Sequence, residues 1–124
     1  MKNNTDFSLR ARSRSFKYAM EGFMKFLTTE HKAWLHLLAT AGVIFLAVIF
    51  KVSGSEVIAL ILSIGFVWVA EIFNTGIEKI MDFISLENNE QIKTIKDISA
   101  AAVLLAAVIA IIVGCIIFIP KVLT

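Results

Sequence analysis

The chain has 124 residues, of which 58% are hydrophobic, and its formal net charge is only +2. A soluble globular domain is usually about 45–50% apolar, so this composition predicts one integral membrane domain. The single cysteine, Cys115, excludes an intrachain disulfide, and its apolar surroundings favour a buried, inert thiol.

The N-terminal part of the chain changes character at residue 14. Residues 1–13 are polar and basic, and we expect a loosely ordered arm there. In residues 14–29, apolar side chains recur at helical spacing while lysines occupy another face, which predicts an amphipathic helix. Such a helix lies either in the membrane interface or against the cytosolic ends of the membrane helices.

Three apolar segments follow, at residues 33–50, 57–84 and 98–119. Their lengths are close to or above the roughly 20 residues that a membrane-spanning helix needs. A polar turn at 51–56 and a polar loop at 85–96 separate them, and Pro120 is expected to end the third. The fold class predicted is therefore an all-α membrane protein with an N-terminal interface helix and three transmembrane helices.

The distribution of basic residues predicts the orientation. Most of them precede the first span: Lys2, Arg10, Arg12, Arg14, Lys17, Lys25 and Lys32. Because positive charges favour the cytoplasmic side, the N-terminus and the 85–96 loop are expected in the cytoplasm and the C-terminus outside. We expect a multi-pass protein of the cytoplasmic (inner) membrane.

Polar residues in the second half of the middle span share one helical face. They are Glu71, Asn74, Thr75, Glu78 and Asp82. Acidic residues at membrane depth are costly and usually face the bundle interior or a wet cavity, so they mark a functional site. Because three carboxylates on one face repel one another, we expect a divalent cation to neutralise them. For Glu78 and Asp82 there is an alternative to a functional role, namely that they are simply the solvated polar end of a membrane helix.

Several kinds of site are absent from the sequence. It has no glycine-rich phosphate loop, no Cys/His zinc spacing and no G-x-S-x-G element. A soluble kinase or hydrolase fold is excluded by these absences and by the length. A nucleic-acid partner is not expected either.

The polar face reads EIFNTGIEKIMD from Glu71 to Asp82. It resembles the signature E-x-x-N-[ST]-[AG]-I-E-x-x-x-D of the small prokaryotic lipid kinases, the diacylglycerol kinase and undecaprenol kinase family. The resemblance extends to FKYA at 16–19, to Thr29-Glu30 and to KDISAAAVLL at 96–105. The resemblance implies phosphorylation of a lipid hydroxyl with ATP and Mg²⁺. It also implies a homotrimer that is surrounded by membrane lipids and whose neighbouring subunits share active sites.

The resemblance also implies roles for individual residues at the cytoplasmic membrane face. Glu71 resembles the general base that takes the proton of the lipid hydroxyl, and Glu30 and Glu78 resemble the Mg²⁺ ligands. Asn74 and Asp82 resemble supporting residues of the same site. The residues expected near the nucleotide are Tyr18, Glu87, Asn88, Asn89, Lys96 and Asp97.

The lipid acceptor and the function class have alternatives. His36 and Ala100 resemble the undecaprenol kinase branch, so undecaprenol is slightly favoured over diacylglycerol. A small ion or proton carrier, with the acidic face as a relay, is a rival of another class. A catalytically inactive membrane scaffold is a third.

Overall fold

A computed structural model describes residues 8–124. It contains four helices: α1 (Leu9–Thr29), α2 (His31–Ile49), α3 (Gly54–Ile84) and α4 (Glu90–Val122). Helices α2, α3 and α4 are each long and apolar enough to cross a membrane, which confirms the three predicted spans. Every regular element within the described residues is helical, so the all-α prediction is confirmed as well. The chain divides into two compact units, Met1–Ala39 and Thr40–Thr124.

In the first unit, α1 begins earlier than the predicted residue 14. The side chain of Ser8 accepts a hydrogen bond from the backbone N–H of Ala11 at 3.2 Å and so caps the helix. The predicted arm at 1–13 is therefore wrong for residues 9–13, and residues 1–7 lie outside the described part of the chain. A single extended residue, Glu30, separates α1 from α2, so α2 begins at His31 instead of residue 33. The position of α1 in the membrane interface stays a prediction.

In the second unit, α3 and α4 form an antiparallel hairpin. At one end Lys121 Nζ lies 3.1 Å from Glu56 Oε1, and at the other end Lys96 Nζ lies 2.6 Å from Asp82 Oδ1. The second half of α2 joins the hairpin through Thr40, whose hydroxyl accepts a hydrogen bond from the Trp68 indole at 2.9 Å. This packing fixes which residues of α3 and α4 face each other.

Helix α4 begins at Glu90, well before the predicted residue 98, and the predicted loop at 85–96 shrinks to residues 85–89. The reason is the N-cap residue Asn89, whose Oδ1 accepts hydrogen bonds from the backbone N–H groups of Gln91 at 2.8 Å and Ile92 at 3.2 Å. The polar first turns of α4 lack the apolar pattern of a span, but they are helical because the cap satisfies their first N–H groups.

The expectation that Pro120 ends the third span is also wrong. Helix α4 continues through Pro120 to Val122, and the backbone N–H of Leu123 donates to Ile119 O at 3.1 Å. A proline removes one helical hydrogen bond, and this costs the helix less in its last turn, where a contact with another helix also holds the backbone. Here Lys121, the residue after the proline, makes the ion pair with Glu56.

The turn between α2 and α3 is tighter than the predicted polar segment at 51–56. Gly54 already belongs to α3, which Ser53 and Glu56 start with a reciprocal capping box. The turn itself depends on Lys51, which has a φ of 50° and is the non-glycine residue with a positive φ within residues 8–124. Its N–H donates to Val48 O, and the N–H of Val52 donates to Ala47 O. These two bonds form a Schellman motif, in which the residue with positive φ is usually glycine.

The Lys51 conformation predicts a stabilising substitution. Lys51→Gly should raise the free energy of unfolding in detergent by about 1 kcal/mol, because glycine has no Cβ to disfavour the left-handed region. Lys51→Val should lower it, because a β-branched side chain tolerates this conformation poorly. Thermal unfolding of the three proteins checks both signs. A Lys51→Gly protein that is less stable than the Lys51→Val protein would contradict the strain assigned to this turn.

Candidate active site

The polar face of α3 is turned into the protein at its deepest positions. The relative exposure of Glu71 is 2%, that of Asn74 is 3% and that of Thr75 is 6%. Glu78, one turn farther along, is half-buried, and Asp82 is exposed. The polar face therefore leads from the buried position of Glu71 to the exposed end of α3 at Asp82.

A chain of side-chain hydrogen bonds runs from α4 to this face. Ser99 Oγ donates to Asn74 Oδ1 at 2.6 Å, and Asn74 Nδ2 donates to Glu78 Oε1 at 3.1 Å. Ser99 and Asn74 are both buried. Thus the amide that the sequence analysis singled out links the two helices and holds one oxygen of the Glu78 carboxylate.

The hydroxyl of Thr75 lies beside this chain. Within residues 8–124 its Oγ1 is buried and has no hydrogen-bond partner. Buried polar groups are usually hydrogen-bonded, so a lone hydroxyl at this depth is suited to a polar group that enters from outside. It lies one helical turn beyond Glu71 on the same face.

A cavity of about 390 Å³, lined mostly by polar and charged residues, opens where α3 ends and α4 begins. Five of the residues predicted to lie near a nucleotide line it: Glu87, Asn88, Asn89, Lys96 and Asp97. The side chain of Asn89 has a second task there, since it caps α4. The sixth predicted residue, Tyr18, belongs to α1 in the other unit, where it is 63% exposed.

Two ion pairs involve three charged residues of the cavity lining, Lys93, Lys96 and Asp97. Lys96 pairs with Asp82 across the hairpin, and Lys93 pairs with Asp97 along α4, each with an N–O distance of 2.6 Å. All four side chains are partly exposed, so the pairs are held weakly and can exchange partners with an anionic ligand. The structure thus brings Asp82 and Lys96 together, whereas the sequence analysis placed them only at the same membrane face.

The two predicted Mg²⁺ ligands lie in different units. Glu30 is half-buried between α1 and α2, and Glu78 is on α3. Among residues 8–124, no group of three or more His, Cys, Asp or Glu side chains is arranged to hold a metal ion. The Mg²⁺ site therefore stays a prediction.

The sequence analysis missed two residues of this region, Ser99 and Lys93. Ser99 appeared there only within the KDISAAAVLL segment at 96–105, without a role of its own. A signal was available, because Ser99 follows Lys96 by three positions and so lies on the same face of α4. Lys93 was taken as part of a loop, where such spacing has no meaning.

Comparison with known proteins decides the family. Residues 17–118 match the prokaryotic diacylglycerol kinase family, which is most of the chain. The chain belongs to that family, a family of lipid kinases.

Two relatives agree with this membership. The chain is 33% identical over 108 residues to an undecaprenol kinase of Bacillus subtilis (strain 168), an alignment that covers 87% of this chain and 88% of the relative. It is 32% identical over 111 residues to a diacylglycerol kinase of Synechocystis sp., which covers 89% of this chain and 63% of that relative. The resemblance seen in the sequence is confirmed, and the kinase interpretation is favoured over the ion or proton carrier.

The exposed ion pair of Asp82 and the buried hydrogen bond of Asn74 should contribute differently to the free energy of unfolding. Asp82→Asn should lower the free energy of unfolding by less than about 1 kcal/mol, because its pair with Lys96 is partly exposed and screened by salt. Asn74→Leu should cost about 1–3 kcal/mol, because it leaves the buried Ser99 hydroxyl without its acceptor.

Thermal unfolding in detergent at two salt concentrations checks this contrast, and Asp97→Asn is the matched control for an exposed pair. The weak-pair assignment is wrong if Asp82→Asn costs as much as Asn74→Leu.

Proposed function

We propose that the protein transfers the γ-phosphoryl group of ATP to a membrane lipid alcohol at the cytoplasmic face of the inner membrane. Membership of a lipid kinase family carries this proposal. Undecaprenol is slightly favoured as the acceptor over diacylglycerol. This preference is supported by the undecaprenol kinase relative, which aligns with this chain over most of the length of both proteins.

Glu71 is the proposed general base. Its carboxylate accepts the proton of the lipid hydroxyl while the hydroxyl oxygen forms a bond to the γ-phosphorus, and the bond from that phosphorus to the bridging oxygen of ADP breaks. The burial of Glu71 supports this role, because water is largely excluded from a buried carboxylate and competes little with a lipid hydroxyl for it. The neighbouring Thr75 hydroxyl is suited to hold the acceptor.

The cavity at the α3–α4 connection is the proposed nucleotide site. Lys96 offers an ammonium group to the phosphates, and Asp82 holds that group at the cavity wall. Asp97, Glu87, Asn88 and Asn89 offer polar groups to the ribose and the phosphates. Tyr18 of α1 is the remaining proposed contact.

The donor set fits Mg²⁺, with Glu30 and Glu78 as the proposed ligands. Mg²⁺ usually binds through one or two carboxylates together with substrate phosphates and water, so a cluster of three acidic side chains is not needed. Asn74 orients the Glu78 carboxylate, which suits a ligand position. When bound, the ion neutralises phosphate charge during transfer.

We further propose a homotrimer in which neighbouring subunits share active sites. Helix α1 then lies in the membrane interface, with its basic side chains toward anionic lipid head groups. The N-terminus is cytoplasmic and the C-terminus is outside, as the distribution of basic residues predicts. Large apolar side chains exposed along the spans, such as Phe45, Phe66 and Ile111, are then covered by lipid or by neighbouring subunits.

The proposed function is tested with purified protein in lipid or detergent. Protein incubated with radiolabelled MgATP and a panel of lipid alcohols should label undecaprenol, with diacylglycerol labelled more slowly. Separation of the products by thin-layer chromatography checks the acceptor. Faster labelling of diacylglycerol would reverse the preference, and labelling of no lipid alcohol would refute the function.

The role of Glu71 predicts a specific loss. Glu71→Gln should lower the transfer rate by about 10²–10⁴-fold, the usual contribution of a general base, while ATP binding stays close to that of the parent. Glu78→Gln should instead raise the Mg²⁺ concentration that transfer requires. Transfer rates and equilibrium binding of a fluorescent ATP analogue measure the two effects separately.

Glu56→Gln is the matched control, because Glu56 lies on the same helix at the opposite end of the hairpin and glutamine can retain the cap. It should transfer phosphate at the parental rate. Near-parental transfer by Glu71→Gln would remove Glu71 as the base.

A further inference from the structure

Two hydrogen bonds join three side chains in a line, which starts at Ser99 on α4 and ends at Glu78 on α3, a proposed metal ligand. Ser99 Oγ is 2.6 Å from Asn74 Oδ1, and Asn74 Nδ2 is 3.1 Å from Glu78 Oε1. Ser99 is 7% exposed and Asn74 is 3% exposed, so water competes little for either group. The line crosses from α4 to α3 at Asn74 and then continues along α3 to Glu78.

The direction of these hydrogen bonds is fixed by the carboxylate at the end of the line. An ionised Glu78 can only accept, so the Asn74 amide must turn its NH₂ group toward Glu78. The amide oxygen of Asn74 then faces Ser99, where only a donor is satisfactory. A serine hydroxyl supplies that donor from the neighbouring helix.

We propose that Ser99 is a positioning residue of the active site, which acts on Glu78 through Asn74. Without the Ser99 hydroxyl, the buried Asn74 oxygen loses its donor, and the amide is held only from the Glu78 side. The amide can then turn toward another donor, which weakens its hydrogen bond to Glu78. Glu78 then loses a fixed donor and samples more orientations. This inference rests on the proposed kinase function, in which Glu78 binds Mg²⁺.

The expected effect is on metal use more than on the chemical step, because Glu71 and the lipid site are unchanged. Ser99→Ala should raise the half-saturating Mg²⁺ concentration for transfer by about tenfold, as expected for the loss of one buried hydrogen bond. The rate at saturating Mg²⁺ should stay close to that of the parent. A purely structural role would lower the amount of active protein and leave the Mg²⁺ requirement unchanged.

The chain offers a matched control in Ser63. It is also 7% exposed, but its hydroxyl donates to Leu60 O within its own helix, at 3.2 Å. Ser63→Ala therefore removes a buried serine hydroxyl without touching Asn74, and its Mg²⁺ requirement should equal that of the parent. A second pair, Ser99→Thr and Ser99→Val, keeps the side-chain volume nearly constant and differs in the hydroxyl donor. If Ser99→Ala does not fold, this pair provides the comparison.

The experiment has two readouts. The first is transfer rate against Mg²⁺ concentration for the parent, Ser99→Ala, Ser63→Ala, Ser99→Thr and Ser99→Val. The second is the thermal unfolding midpoint, without metal or nucleotide, of the parent, Ser99→Ala, Asn74→Ala and the double variant. The threonine variant should use Mg²⁺ more like the parent than the valine variant does, and the midpoint of the double variant should be close to that of Asn74→Ala alone.

Each outcome decides a different statement. The inference is overturned if Ser99→Ala and Ser63→Ala have the same Mg²⁺ requirement, if threonine and valine at position 99 behave alike, or if the shifts of Ser99→Ala and Asn74→Ala simply add. A parent that transfers no phosphate to any lipid alcohol overturns the proposed function instead. The midpoints would then still decide whether Ser99 and Asn74 act as one hydrogen-bonded unit.

Discussion

The structure depends on how α3 carries polar groups into an apolar span. A carboxylate or an amide at membrane depth is costly unless it is partnered or faces a wet interior. Helix α3 meets this constraint by turning Glu71, Asn74 and Thr75 inward, and α4 contributes Ser99 as a donor to the Asn74 amide. The hydrogen bond between Ser99 and Asn74 therefore has two consequences. It joins the two helices of the hairpin, and it holds an amide of the candidate site that neither helix alone satisfies.

Beyond the end of the span the electrostatics change. Glu78 is half-buried, whereas Asp82, Lys93, Lys96 and Asp97 are partly exposed and paired with one another. Exposed ion pairs contribute little stability, so they can be rearranged at little cost when a charged ligand enters the cavity. The deep part of the site is thus buried, with Asn74 held between Ser99 and Glu78, and its outer part is held by exposed ion pairs.

Much of this arrangement could be predicted from the sequence. The helical period alone placed Glu71, Asn74 and Thr75 on one face, because Asn74 and Thr75 follow Glu71 by three and four positions. Hydropathy alone identified the three spans. The start of α4 could not be read this way, since it depends on whether the Asn89 side chain turns back to cap the helix or points to solvent. The same holds for Lys51, where the turn hydrogen bonds impose a positive φ on a residue whose identity does not call for one. Ser99 was missed because the neighbour of a residue on another helix is set by packing, which no local pattern records.

The length of α4 has a mechanical consequence. It runs as one helix of 33 residues, and at 1.5 Å per residue this is a rod of roughly 50 Å, longer than the roughly 30 Å hydrocarbon layer. Lys96 and Asp97 therefore lie on one continuous helix with the residues that cross the membrane, and not on a separate loop. A thinner bilayer that makes the rod tilt more would shift the height of these charges relative to the lipid head groups, so membrane thickness and the geometry of the cavity are coupled through a single rigid element.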